Sequence, residues 1–131
     1  MSLNWIAILT VLVCVNCPII SAAEGKAENV WPNAAPQETD NIGEEKATPS
    51  KPGQKQVLRI SNVSTPTLQF YPAPKDKNSG TTIVVCPGGG YNILAFDLEG
   101  TEVCEWLNTI GVNAVLLKYR VPRRAGLPPY H

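Results

Sequence analysis

Histidine is nearly missing from this chain: His131 is the sole example and the last of 131 residues. A general base must be held within hydrogen-bond reach of its nucleophile, and a terminal histidine after Pro128-Pro129-Tyr130 reads instead as an exposed loop residue. Net charge is missing too, since 11 Lys and Arg balance 11 Asp and Glu. A neutral chain lacks the basic face that nucleic acid demands, so no nucleic-acid partner is expected. Arg120, Arg123 and Arg124 cluster without interleaved aromatics and read as an exposed loop.

Charge is wholly absent from residues 1–23, where Trp5 to Val15 is almost continuously apolar and the segment closes on Ser21-Ala22-Ala23. Small residues there suit a signal peptidase, so residues 1–23 are expected to be a secretory signal peptide and the mature protein secreted or periplasmic. A membrane anchor is the competing reading, but a span needs about 20 apolar residues and Asn16, Cys17 and Pro18 interrupt this one. No membrane partner is expected after cleavage. Removal of the signal takes Cys14 and Cys17 with it and leaves Cys86 and Cys104. Those two could pair in an exported protein, or stay as buried thiols acting as small apolar residues, the reading favoured here. With one histidine they cannot supply the four ligands of structural zinc or the three of catalytic zinc; no metal and no cofactor are expected.

Residues 24–55 are rich in Pro, Glu, Lys, Ala and Asn, with Val30, Trp31 and Ile42 as their only large apolar side chains. Such a segment cannot bury a core of its own and reads as a linker or extended arm, with Val30-Trp31-Pro32 as a candidate anchor. The folded domain is expected over residues 56–131. Val57-Leu58-Arg59-Ile60 and Thr67-Leu68-Gln69-Phe70-Tyr71 fit two strands joined by a short turn. The continuous apolar run Ile83-Val84-Val85 predicts a strand buried on both faces beside parallel neighbours. Asp97 to Ile110 reads as a helix: Val103, Trp106, Leu107 and Ile110 share one face, Asp97, Glu99, Glu102 and Glu105 crowd its start, and Gly111 marks its stop. Residues 112–119 form another strand, which completes a βαβ unit.

Between that buried strand and the helix stand Gly88, Gly89 and Gly90. Glycine is costly to order, at roughly 0.5–1 kcal/mol each against alanine in regular structure, so three in a row must serve some purpose. The dinucleotide fingerprint fails, because the third glycine position is Ile93 and Tyr119-Arg120 stands where an acid is required. The phosphate-binding loop fails for want of Gly-Lys-Ser/Thr. A tight turn and an oxyanion hole remain. In the latter, side-chain-free N–H groups stabilise the charge that acyl transfer places on a carbonyl oxygen.

The run Val84-Val85-Cys86-Pro87-Gly88-Gly89-Gly90-Tyr91, followed by Glu99-Gly100, Trp106-Leu107-Asn108, Gly111-Val112 and Lys118-Tyr119-Arg120-Val121-Pro122, resembles secreted bacterial α/β-hydrolases of the acetylxylan esterase and esterase/lipase type. Some of these carry a xylanase label. Val30-Trp31-Pro32 and Ile60-Ser61-Asn62-Val63-Ser64 resemble the lead-in to that domain. One departure is Pro87, where histidine often stands. The resemblance implies an α/β fold, specifically the N-terminal part of an α/β-hydrolase, incomplete: initial antiparallel strands and then the βαβ unit. It also implies a carbohydrate or small acyl ester substrate, with Gly88, Gly89, Gly90 and Tyr91 forming the oxyanion hole. For Glu99 and Arg120 two readings stand side by side: a pair beneath that loop that supports it, or two solvated surface charges. Such enzymes carry a G-x-S-x-G elbow followed by Asp and His. Ser50, Ser61, Ser64 and Ser79 lie in no such elbow, so this sequence is expected to be an N-terminal fragment, inactive alone. The alternative is a non-catalytic exported binding or interaction protein built on a remnant hydrolase unit.

Overall fold

The computed structural model describes residues 25–38 and 41–126. The expected signal peptide and the loop reading of His131 lie outside the described residues. Within them, seven short strands form two sheets. The larger has the order β1 (Glu28–Asn29), β4 (Thr67–Tyr71), β7 (Asn113–Lys118), β5 (Thr82–Val85). Its first two pairings are antiparallel and the last, β7 with β5, is parallel. The smaller sheet is antiparallel throughout, in the order β2 (Lys46–Thr48), β3 (Arg59–Ser61), β6 (Leu94–Ala95). The content is mixed α/β.

The expected hairpin over residues 57–71 does not form. β3 and β4 part into different sheets because Asn62 takes a left-handed φ of 59° and Val63 bridges to Val121, while neither two-residue primed-turn chemistry nor matched register is present to close a hairpin. Pro66, with no N–H to give, precedes β4, and its carbonyl instead accepts the N–H of Val30 at 3.0 Å. Residues 25–30 therefore run along the outer edge of β4, with Gly25 donating to Phe70 O at 2.8 Å.

The helical stretch begins with a π-helical turn, Asp97–Thr101, in which Thr101 N–H reaches back to Phe96 O at 3.0 Å. Gly100 permits the close approach, since a Cβ there would come within 3.0 Å of Leu116 and Pro87 side chains. The α-helix α1 then covers Glu102–Thr109. Acids do crowd these first turns, and one of them ties the turn to its surroundings. Asp97 Oδ1 accepts from Leu58 N at 2.8 Å and from Leu98 N at 2.7 Å.

The buried face of α1 differs from the expected one. Trp106 and Ile110 are 59% and 55% exposed, whereas Cys104, Leu107 and Asn108 are buried. Burial of Asn108 follows from its amide, which donates to Tyr71 O and Val112 O at 3.0 Å each and so leaves neither carbonyl orphaned. Gly111, at φ 80°, ends the helix as expected.

α1 packs Cys104 and Leu107 on Tyr71, Val85, Ala114 and Leu116 of the larger sheet. A second cluster joins Ile60, Val63, Leu94 and Val121, and Phe96 packs against both. The other face of the larger sheet is only partly covered by the described residues, and register places the exposed Phe70 and Val84 beside the half-buried Val115 on it. The run Ile83-Val84-Val85 is consequently not buried on both faces. β5 is an edge strand with one partner, and Val84 is 58% exposed. For the same reason Cys86, just beyond β5, is exposed while Cys104 is buried, and no disulfide joins them.

Candidate functional site

The strands β5 and β7 end together, and the chain leaving β5 turns at the fully buried Pro87 into residues 88–91. Ligands of open α/β sheets bind outside the carboxyl ends of parallel strands. A cavity of about 610 Å³ lies there, walled by Gly88 to Tyr91, by Leu117 and Tyr119 from the end of β7, and by Val30 and Trp31 from the N-terminal arm.

Hydrogen bonding in the loop is one-sided. Every carbonyl from Pro87 to Tyr91 accepts a bond: Pro87 O from Tyr119 Oη at 2.6 Å, Gly88 O from Ala95 N at 2.8 Å, Gly89 O from Asn92 N at 3.1 Å, Gly90 O from Asn92 Nδ2 at 3.2 Å and Tyr91 O from Arg123 N at 2.8 Å. Of the N–H groups, that of Gly88 donates to Glu99 Oε2 at 3.0 Å. Those of Gly89, Gly90 and Tyr91 meet no acceptor among the described residues. The loop thus offers donors and withholds acceptors, the polarity that suits an anionic oxygen.

The backbone needed for this is left-handed at three successive residues, with φ of 148° at Gly89, 61° at Gly90 and 59° at Tyr91. Glycine takes such angles freely, but a tyrosine there stores strain of about 1–3 kcal/mol that its surroundings must offset. They do so through the Arg123 bond and an edge-on contact of the Tyr91 and Tyr119 rings, 6.0 Å between centroids.

The two charged residues expected to brace the loop take separate partners. Glu99 holds Gly88 as described, whereas Arg120 Nη1 donates to Pro36 O at 2.9 Å and stands 3.9 Å from Glu38 Oε2. No Glu99–Arg120 pair forms, because Arg120 is drawn to the arm. Of the three arginines expected in an exposed loop, Arg123 is exposed, but Arg120 is half-buried and Arg124 buried. Arg124 is 3% exposed and grips Glu38 with Nε at 3.0 Å and Nη2 at 2.6 Å, while its Nη1 donates to Pro122 O. Nothing local to the arginines signals this, as the acid lies 86 residues away. Trp31 and Tyr119 are among the lining residues not singled out for the site by sequence reasoning, although both stand in motifs that carry the resemblance. Among the described residues no cluster of three His, Cys, Asp or Glu could hold a metal ion.

Burial pushes the Tyr119 phenol above its ordinary value of 10.0, with Tyr91, Cys86 and Glu99 adding to the shift by their charge. A raised folded-state value means that the unfolded chain loses this proton first. The contribution to stability is therefore full below about pH 10 and is lost as pH rises through the folded value. Denaturant melts compared with Tyr119→Phe check it: above about pH 10 the parent should lose stability more steeply than the variant, and parallel curves would refute the assignment.

What this chain is similar to is an esterase. No known family profile matches it. Over 44 residues, 34% of this chain and 9% of the other, it is 43% identical to an acetylxylan esterase of Xylanibacter ruminicola. A solved structure, the acetyl ester-xyloside bifunctional hydrolase of Caldicellulosiruptor lactoaceticus, is 29% identical with a TM-score of 0.47, covering 78% of this chain. The chain spans about 30% of that hydrolase's length.

Proposed function

We propose that residues 84–120 form the oxyanion-binding portion of a secreted serine hydrolase of the α/β-hydrolase type, acting on short acyl esters such as the acetyl groups of xylan. The observation that carries this reading is the one-sided loop, with its carbonyls occupied from Pro87 to Tyr91 and the N–H groups of Gly89, Gly90 and Tyr91 open among the described residues. Similarity to an acetylxylan esterase supports the substrate class.

Serine attack on an ester would place negative charge on the former carbonyl oxygen. Fixed N–H donors stabilise that charge without reorganising, each by about 3–4 kcal/mol in acyl-transfer enzymes. Glu99 shapes the donor set by taking the Gly88 N–H, so the open row starts at Gly89. The G-x-S-x-G elbow is not in this sequence, so the serine attacking such an ester would lie outside it.

The test is an exchange. Residues 84–120 of this chain replace the glycine-loop, helix and strand segment that corresponds to them in the Xylanibacter acetylxylan esterase, and p-nitrophenyl acetate hydrolysis is followed. Turnover within about tenfold of the parent is expected, since losing a single donor costs about 10²–10³ in kcat. A chimera that melts cooperatively yet hydrolyses no ester would overturn the proposal.

A further inference from the structure

We infer that the N-terminal arm belongs to the substrate site, with Trp31 as the wall that receives a neutral sugar ring; this rests on the esterase reading above. Val30 and Trp31 line the same cavity as the open donors of Gly89, Gly90 and Tyr91, although nearly 60 residues separate them in sequence. The arm is also fixed on both sides of Trp31. Before it, Glu28 and Asn29 pair with Leu68 and Thr67 and Val30 N donates to Pro66 O; after it, Pro36 O accepts from Arg120 and Glu38 holds Arg124.

Charge points the same way. Among the described residues Arg120 is the only cationic side chain lining the cavity, and its guanidinium is already engaged by Pro36 O and faces Glu38. An anionic ligand gains little from it. The remaining surface is aromatic and aliphatic with a few backbone donors, as in sites for small organic ligands. A pyranose matches such a wall: its axial C–H groups make an apolar face for the indole, and its hydroxyls and ester oxygen can accept from the loop. In this arrangement the acyl carbonyl lies at residues 89–91 and the sugar bearing it lies against Trp31, so the arm selects the alcohol half of the ester.

The experiment is ligand-observed NMR titration of the full 131-residue chain with unsubstituted xylotriose, which needs neither an acyl group nor a nucleophile. Saturable binding in the millimolar range is expected. Trp31→Ala should weaken it about tenfold or more and Trp31→Phe only about two- to threefold, because a ring remains. Trp106→Ala, on the exposed side of α1, should leave it unchanged. Absence of saturable binding up to about 10 mM overturns the inference, as does equal binding by Trp31→Ala, or binding that tracks an alkyl acetate instead of the sugar. The chimera assay uses p-nitrophenyl acetate, which carries no sugar, so its result stands or falls separately.

Discussion

Replacing Gly89 by alanine is expected to cost about 3–5 kcal/mol of stability, near the top of the range for single substitutions, while Gly90→Ala costs about 1–2 kcal/mol. The contrast isolates what the first glycine does. A Cβ at position 89 would stand 1.9 Å from Ile93 O and 2.6 Å from Ile93 C, both main-chain atoms. They cannot retreat cheaply, for Ile93 N donates to Gly89 O, Ala95 N donates to Gly88 O, and Leu94 is fully buried in β6. At position 90 the nearest atom is Asn92 Nδ2 at 3.8 Å, so only the left-handed φ of 61° is penalised. Urea or thermal unfolding of both variants measures the difference, and equal losses would show that steric closure is not what Gly89 provides.

Glu38→Ala should cost about 3 kcal/mol, because it leaves the Arg124 guanidinium buried without its counter-charge. Arg124 keeps Pro122 O and Val63 O as acceptors, which moderates the loss. The loss is specific to stranding the cation: Glu38→Ala combined with Arg124→Met should recover part of it, since an apolar chain of similar length tolerates that site. A double variant no better than Glu38→Ala would mean that Glu38 acts through the arm backbone instead. By contrast the Lys118–Glu45 pair, at 2.8 Å but partly exposed, should contribute no more than about 1 kcal/mol.

Those two sites mark the limits of what was legible in the sequence. Features set by neighbouring residues were readable: the glycine loop after β5, the acids at the helix start, Gly111 at its end, and the parallel pairing of β5 and β7 across α1. Features set by distant partners were not. The apolar spacing of Val103, Trp106, Leu107 and Ile110 suggested one buried stripe, but the Asn108 amide was drawn inward by Tyr71 O, 37 residues away, and Trp106 turned outward. Ile83-Val84-Val85 has the composition of an interior strand, and only the strand order reveals an edge. The glycine loop itself was legible, yet which N–H groups it leaves open was not, because that depends on Glu99 reaching Gly88 from within the π-helical turn.

Phe96 gives the molecule a mechanical unity that its two sheets do not suggest. Its ring packs against both hydrophobic clusters, and its main chain receives Thr101 on one side and gives its N–H to Leu58 on the other. The smaller sheet therefore cannot loosen without withdrawing one wall of the compartment beneath α1. The glycine loop runs from β5 of one sheet to β6 of the other, so its row of donors is anchored at both ends and loses its aim if either sheet releases its strand.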